Sequence, residues 1–111
     1  MRRYDFTYNL CALLQYMCNE GDFPILDYVK RSTEEQKRMF ALGVSKCDGV
    51  TKISGHQLGL DADIYLLNEN GKLIDWGTIP EKATKYHTFW EASGGASMIS
   101  WDLGHFGWLI K

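Results

Sequence analysis

The chain has little proline, little cysteine and no surplus of charge of one sign: two prolines and three cysteines in 111 residues, with 12 Lys+Arg against 14 Asp+Glu for a net charge of −2. The cysteines, Cys11, Cys18 and Cys47, form no Cys-x-x-Cys pair. An odd, scattered set of this kind describes neither a disulfide framework nor a cysteine zinc ribbon, and it fits a reducing compartment. Near-neutral charge leaves no basic footprint for nucleic acid. Lys30-Arg31 and Lys37-Arg38 are short basic pairs close to acidic residues and read as solvated helix faces. No apolar run approaches the ~18 residues that a membrane span needs. The amino-terminal stretch begins basic and turns apolar, but Asp5, Asn9, Gln15, Asn19 and Glu20 interrupt it. No small-residue cleavage site follows, so a secretory signal is not expected. Repeats, linkers and low-complexity segments are also lacking.

What is present suits one small globular domain spanning residues 1–111, with 45% hydrophobic and 14% aromatic residues. A core of this size has little area to spare, and a bound metal would add to its stability. Phe6, Leu10, Leu13, Leu14 and Met17 fall on one face of a helix over roughly 5–20, stopped by Gly21. Cys11 and Cys18, seven apart in that pattern, are expected to pack in the core. Phe23 to Val29 reads as a strand, with Pro24 near its start suiting an edge. Ser32-Thr33-Glu34-Glu35 is a capping box opening a second helix to about residue 42. Met39, Phe40 and Leu42 would give that helix its apolar side. A long polar, glycine-containing loop over 44–59 follows.

Leu60 to Leu66 alternates strictly: Leu60, Ala62, Ile64 and Leu66 on one face, Asp61, Asp63 and Tyr65 on the other. Asn70-Gly71 signals a hairpin, with Lys72 to Trp76 returning. Pro80 opens a third helix, in which Tyr86, Phe89 and Trp90 recur at packing intervals. His87 among them reads as structural or exposed rather than as a ligand. After Gly94-Gly95, residues 98–110 read as a final strand or strand pair. The expected class is α+β, a small antiparallel sheet with helices packed on it.

The aliphatic face fills the core without Asp63, which is therefore free to line an open face. His56, delivered by the loop, and His105 complete a set of three His/Asp ligands that leaves a fourth position for water, as catalytic zinc requires. Asp102, three residues before His105, can be carried into the same site to accept the proton of that water. Arg31, just ahead of the helix cap, can project toward a neighbouring cleft, where a fixed cation would stabilise oxyanion charge. Asp61 shares the face of Asp63. It could orient a ligand or hold a second cation, but is expected to face solvent.

Ser-x-His-x-x-Gly-x-x-x-Asp at 54–63 followed by Asp-x-x-His at 102–105 resembles the signature of the D-alanyl-D-alanine carboxypeptidase family of zinc peptidases. That family includes vancomycin-resistance carboxypeptidases and small phage endolysins that cut L-alanyl-D-glutamate bonds. Ser54, His56, Gly59 and Asp63 match the first element, and Asp102 and His105 the second. Arg31-Ser32 with Gln36 resembles the family's substrate-holding segment. The resemblance implies a zinc cleft in a hedgehog/DD-peptidase-like fold, with His56, Asp63 and His105 as Zn2+ ligands and Asp102 as general base. Arg31, Gln36 and Ser54 would hold substrate or the tetrahedral intermediate. Two positions depart from the pattern: Asp61 stands where alanine is usual, and Gly107 where a glutamate or similar polar residue often follows His-Phe. The implied function is hydrolysis of the murein stem peptide by a monomeric endolysin, held in the host cytoplasm until lysis and then acting on bacterial peptidoglycan. Two other classes remain open: a non-catalytic wall- or tail-associated binding module on the same fold, and a cysteine hydrolase using Cys47 with a histidine.

Overall fold

In a computed structural model, residues 2–27, 29, 32–43, 49 and 60–108 are described. They form helix α1 (Arg2–Asn19), strand β1 (Phe23–Leu26), helix α2 (Thr33–Ala41), strands β2 (Asp61–Leu67) and β3 (Leu73–Ile74), a 3-10 turn at Trp76–Thr78, helix α3 (Pro80–Ala92) and strand β4 (His105–Gly107). The architecture is α+β, with an entirely antiparallel four-stranded sheet.

β2 is the centre of that sheet. β1 runs along one edge of it, in register from Phe23–Leu67 to Leu26–Ile64. β3 and β4 divide the other edge end to end: β3 pairs with Leu66 and Leu67, β4 with Asp61 to Asp63. The seam between them falls at Ile64. Its N–H donates to Gly104 O at 2.8 Å, and its carbonyl accepts from the Trp76 indole Nε1 at 2.9 Å.

The alternation of β2 divides its faces as the sequence requires. Leu60, Ala62, Ile64 and Leu66 are buried against the helices, together with Phe6, Leu10, Leu13 and Met17 of α1 and Ala83, Tyr86 and Trp90 of α3. Burying an aliphatic side chain here contributes about 1.5–3 kcal/mol. Aromatic edges organise the packing: Trp90 meets Phe6 at 5.9 Å and Phe106 at 6.0 Å, both edge-on. Lys82 pairs with Asp22 at 2.8 Å, Tyr86 hydroxyl donates to Asp22, and Lys85 pairs with Glu20, tying α3 to the end of α1.

The local signals behave as their chemistry dictates. α1 stops at Gly21, whose φ of +87° suits a residue without a Cβ; Gly21 and Asp22 N–H groups close onto Cys18 and Met17 carbonyls. Ser32 caps α2 by accepting from Glu35 N at 3.0 Å, while the Glu35 carboxylate pairs with Arg38. Asn68 Oδ1 accepts from Asn70 N and Lys72 N, and Gly71 takes φ +75° at the hairpin tip.

Several expectations are corrected. Cys11 and Cys18 are exposed, because each follows a core residue, Leu10 or Met17, by one position and so is turned about 100° off the buried stripe. α2 buries Gln36, while Phe40 and Leu42 are exposed. The first strand ends at Leu26, and the return strand covers only Leu73–Ile74 before Trp76 turns its indole inward. Within 98–108 the only strand is β4, preceded by turns. Among the described residues, no helix is long and apolar enough to cross a membrane.

Candidate metal centre

The open face of β2 and the turn leading into β4 build the site. Hydrogen bonds from Ile64 N to Gly104 O and from Trp108 N to Leu60 O fall on alternate residue pairs of the β2–β4 ladder. The pairs between them, Asp63–His105 and Asp61–Gly107, are therefore the non-hydrogen-bonded ones, in which opposing side chains approach most closely. Asp63 is also held from the other edge, where Asp27 N donates to its carbonyl at 2.9 Å.

Asp102 reaches the same place through a tight turn. Asp102 N donates to Ile99 O at 3.0 Å and His105 N to Asp102 O at 3.1 Å, so the two side chains leave one turn of chain. That turn is pinned from below. His87 is buried, stacks on Phe106 at 4.0 Å and donates its Nε2–H to Leu103 O at 2.7 Å. Burial pushes its pKa down and keeps the ring neutral. His87 is thus structural, and its Nδ1 finds no partner among the described residues. Gly104 is required here because a Cβ would lie 2.8 Å from Ile64 O and 2.9 Å from Trp76 Nε1.

One donor atom each from Asp63, Asp102 and His105 lies within 4.8 Å of the others. His105 Nδ1 is 3.3 Å from Asp63 Oδ1, and its Nε2 is 3.2 Å from Asp61 Oδ2. Burial alone would lower the His105 pKa; hydrogen bonds to Asp61 and Asp63, and their charges, outweigh it and raise it to about 10. In metal-free protein the ring is therefore an imidazolium between two carboxylates. A raised native pKa stabilises the fold fully below the unfolded value of about 6.5, and the gain is lost as pH rises through about 10. The melting temperature of metal-free protein is expected to fall across that window, and the fall should be shallower in His105→Ala. Parallel profiles for the two proteins would show that His105 carries no such linkage.

The donor set fits a divalent cation. Ligand atoms around a tetrahedral ion with bonds of about 2.0 Å stand roughly 3.3 Å apart, the spacing observed between His105 Nδ1 and Asp63 Oδ1. The Asp63–Asp102–His105 group is half-buried rather than exposed. Tyr65 lies on the same face; burial and then the charges of Asp63, Asp102 and Asp27 push its pKa up, so it stays a neutral donor. Trp101, beside Asp102, is 67% exposed.

Of the residues singled out in the sequence, Asp63, Asp102 and His105 are brought together. Gln36 is fully buried in α2, against Gly49. Arg31, Ser54, His56 and Cys47 lie outside the described residues. Asp61, expected in solvent, is only 7% exposed and accepts from Trp108 N at 3.3 Å. The signal that could have located it is its partner across the ladder, a glycine that leaves room for a carboxylate. Comparison with known proteins finds no family model and no curated protein that matches the chain.

Proposed function

We propose that the protein is a zinc-dependent peptidoglycan peptidase, an endolysin that hydrolyses a bond of the murein stem peptide, with L-alanyl-D-glutamate the first candidate. The observation that carries the reading is the convergence of Asp63, Asp102 and His105 in the order and spacing of the zinc-peptidase signature. Asp63 and His105 would hold the cation, and His56 is assigned as the third ligand from the motif. When bound, a divalent cation would supply Lewis acidity toward the scissile carbonyl and a water. Asp102 would accept a proton from the attacking water and return it to the leaving amine. Arg31, Gln36 and Ser54 are assigned to substrate by the motif. Trp101, exposed and adjacent in sequence to Asp102, would offer a flat apolar surface to an incoming glycopeptide. In this reading the enzyme is made in a host cytoplasm and meets the wall at lysis.

The test is murein digestion by the purified protein, with mass spectrometry of released muropeptides and metal analysis on the same sample. About one zinc per chain, stem-peptide cleavage and loss of cleavage with chelator are expected. Asp102→Ala should keep the metal and lose roughly 10²- to 10⁴-fold in rate, the range for a general base. Loss of the metal as well would make Asp102 a ligand. Full activity after metal removal would end the proposal. Wall binding without metal or cleavage would favour the binding module.

A further inference from the structure

We infer that Asp61 is a positioning residue for the metal centre: its carboxylate takes the Nε2–H of His105, turning Nδ1 toward Asp63 and Asp102. The inference rests on the metal-site reading above. The two ring nitrogens face different partners, Nε2 toward Asp61 Oδ2 at 3.2 Å and Nδ1 toward Asp63 Oδ1 at 3.3 Å. The convergent group comprises Asp63, Asp102 and His105. The cation therefore belongs on the Nδ1 side, and Nε2 must carry the remaining proton. A carboxylate accepting that proton fixes the tautomer and ring angle and raises the basicity of the ligating nitrogen.

The carboxylate of Asp61 is itself fixed. Its Oδ1 accepts from Trp108 N at 3.3 Å, and the residue is only 7% exposed. Its place is created by Gly107, the residue directly across the ladder. A Cβ on Gly107 would lie 3.1 Å from Asp61 Oδ1 and 3.3 Å from His105 Nε2, closer than either neighbour accommodates without moving. Asp61 and Gly107 thus act as a pair: the small residue on β4 admits the acidic one from β2. With Oδ1 taken by Trp108 and Oδ2 by His105, an asparagine would have to turn its NH2 toward one of two N–H donors. Asp61→Asn is consequently expected to disrupt the arrangement while preserving size.

The experiment is zinc titration of metal-free protein against a chromophoric chelator, for wild type, Asp61→Asn and Asp61→Ala, with circular dichroism confirming the fold. Both variants should bind zinc about 10- to 100-fold more weakly, the usual effect of removing such a partner. Cobalt-loaded Asp61→Asn should show a shifted d–d spectrum, which a purely structural residue would leave unchanged. A second measurement needs no variant: 15N NMR of zinc-loaded wild type should show His105 protonated at Nε2 and ligating through Nδ1. Ligation through Nε2, or affinities in both variants within threefold of wild type, would overturn the inference while leaving the metal centre intact. Wild type that binds no zinc would overturn both.

Discussion

On the peptidase reading proposed above, replacing His105 with alanine is expected to abolish metal binding at the Asp63–Asp102–His105 group and reduce murein cleavage by at least roughly 10³-fold, equivalent to about 4 kcal/mol of activation barrier. The ring touches the site from both of its nitrogens, 3.3 Å from Asp63 and 3.2 Å from Asp61. Its removal takes away a donor and leaves two carboxylates, one buried and one half-buried, without a cation between them. The metal-free variant should therefore be less stable than metal-free wild type near neutral pH, because the imidazolium that separates those carboxylates is gone. Zinc should fail to raise its melting temperature, whereas in wild type ligand linkage produces a rise that grows with zinc concentration. Retention of one tightly bound zinc by His105→Ala would place the centre elsewhere.

Gly95→Ala is expected to destabilise the protein by about 1–3 kcal/mol and to lower the melting temperature by ~5–20 °C, with or without metal. A Cβ at this position would lie 2.3 Å from both Cδ1 and Nε1 of Trp90. Trp90 has nowhere to yield. It is fully buried, donates from Nε1 to Gly107 O at 2.8 Å and packs edge-on against Phe6, Phe106 and Trp108. The indole can move only by giving up that hydrogen bond and pushing on β4, which carries His105. Gly43, with open space around it, provides the contrast in crowding. Equal thermal melting of Gly95→Ala and wild type would show that the backbone at 95 relaxes freely.

The parts of this structure that the sequence discloses are those specified by neighbours in the chain. The alternation of Leu60 to Leu66 separates a core face from a face bearing Asp61 and Asp63 without any long-range information. Asn68 to Gly71 carries its own turn chemistry, and Pro80 opens α3. The segment from Met98 to Leu103 is different. Its apolar residues suggest a strand, yet its turns are fixed by distant partners, Ile64 N on Gly104 O and His87 on Leu103 O. The same holds at Asp61. Alternation put it on the open face, where a carboxylate is expected to meet water. Its contacts come from β4 paired alongside it, from residues more than forty positions away. Spacing and residue type point to Asp63, Asp102 and His105, and the fold brings these three side chains together; Gln36 follows from the motif alone and is a buried residue of α2.

The division of one edge of β2 between β3 and β4 dictates where the chain can be lengthened. With Leu60 held in place, a single residue inserted between Leu60 and Asp63 would turn Asp63 toward the helices and Ile64 toward the site, since each step along a strand reverses its face. The tip at Asn68 to Gly71 is exposed and lies beyond the β3 end of β2, away from the end that pairs with β4. A peptide tag, a fluorophore-bearing loop or a second binding domain grafted there would extend the hairpin and leave Asp61, Asp63 and His105 in register.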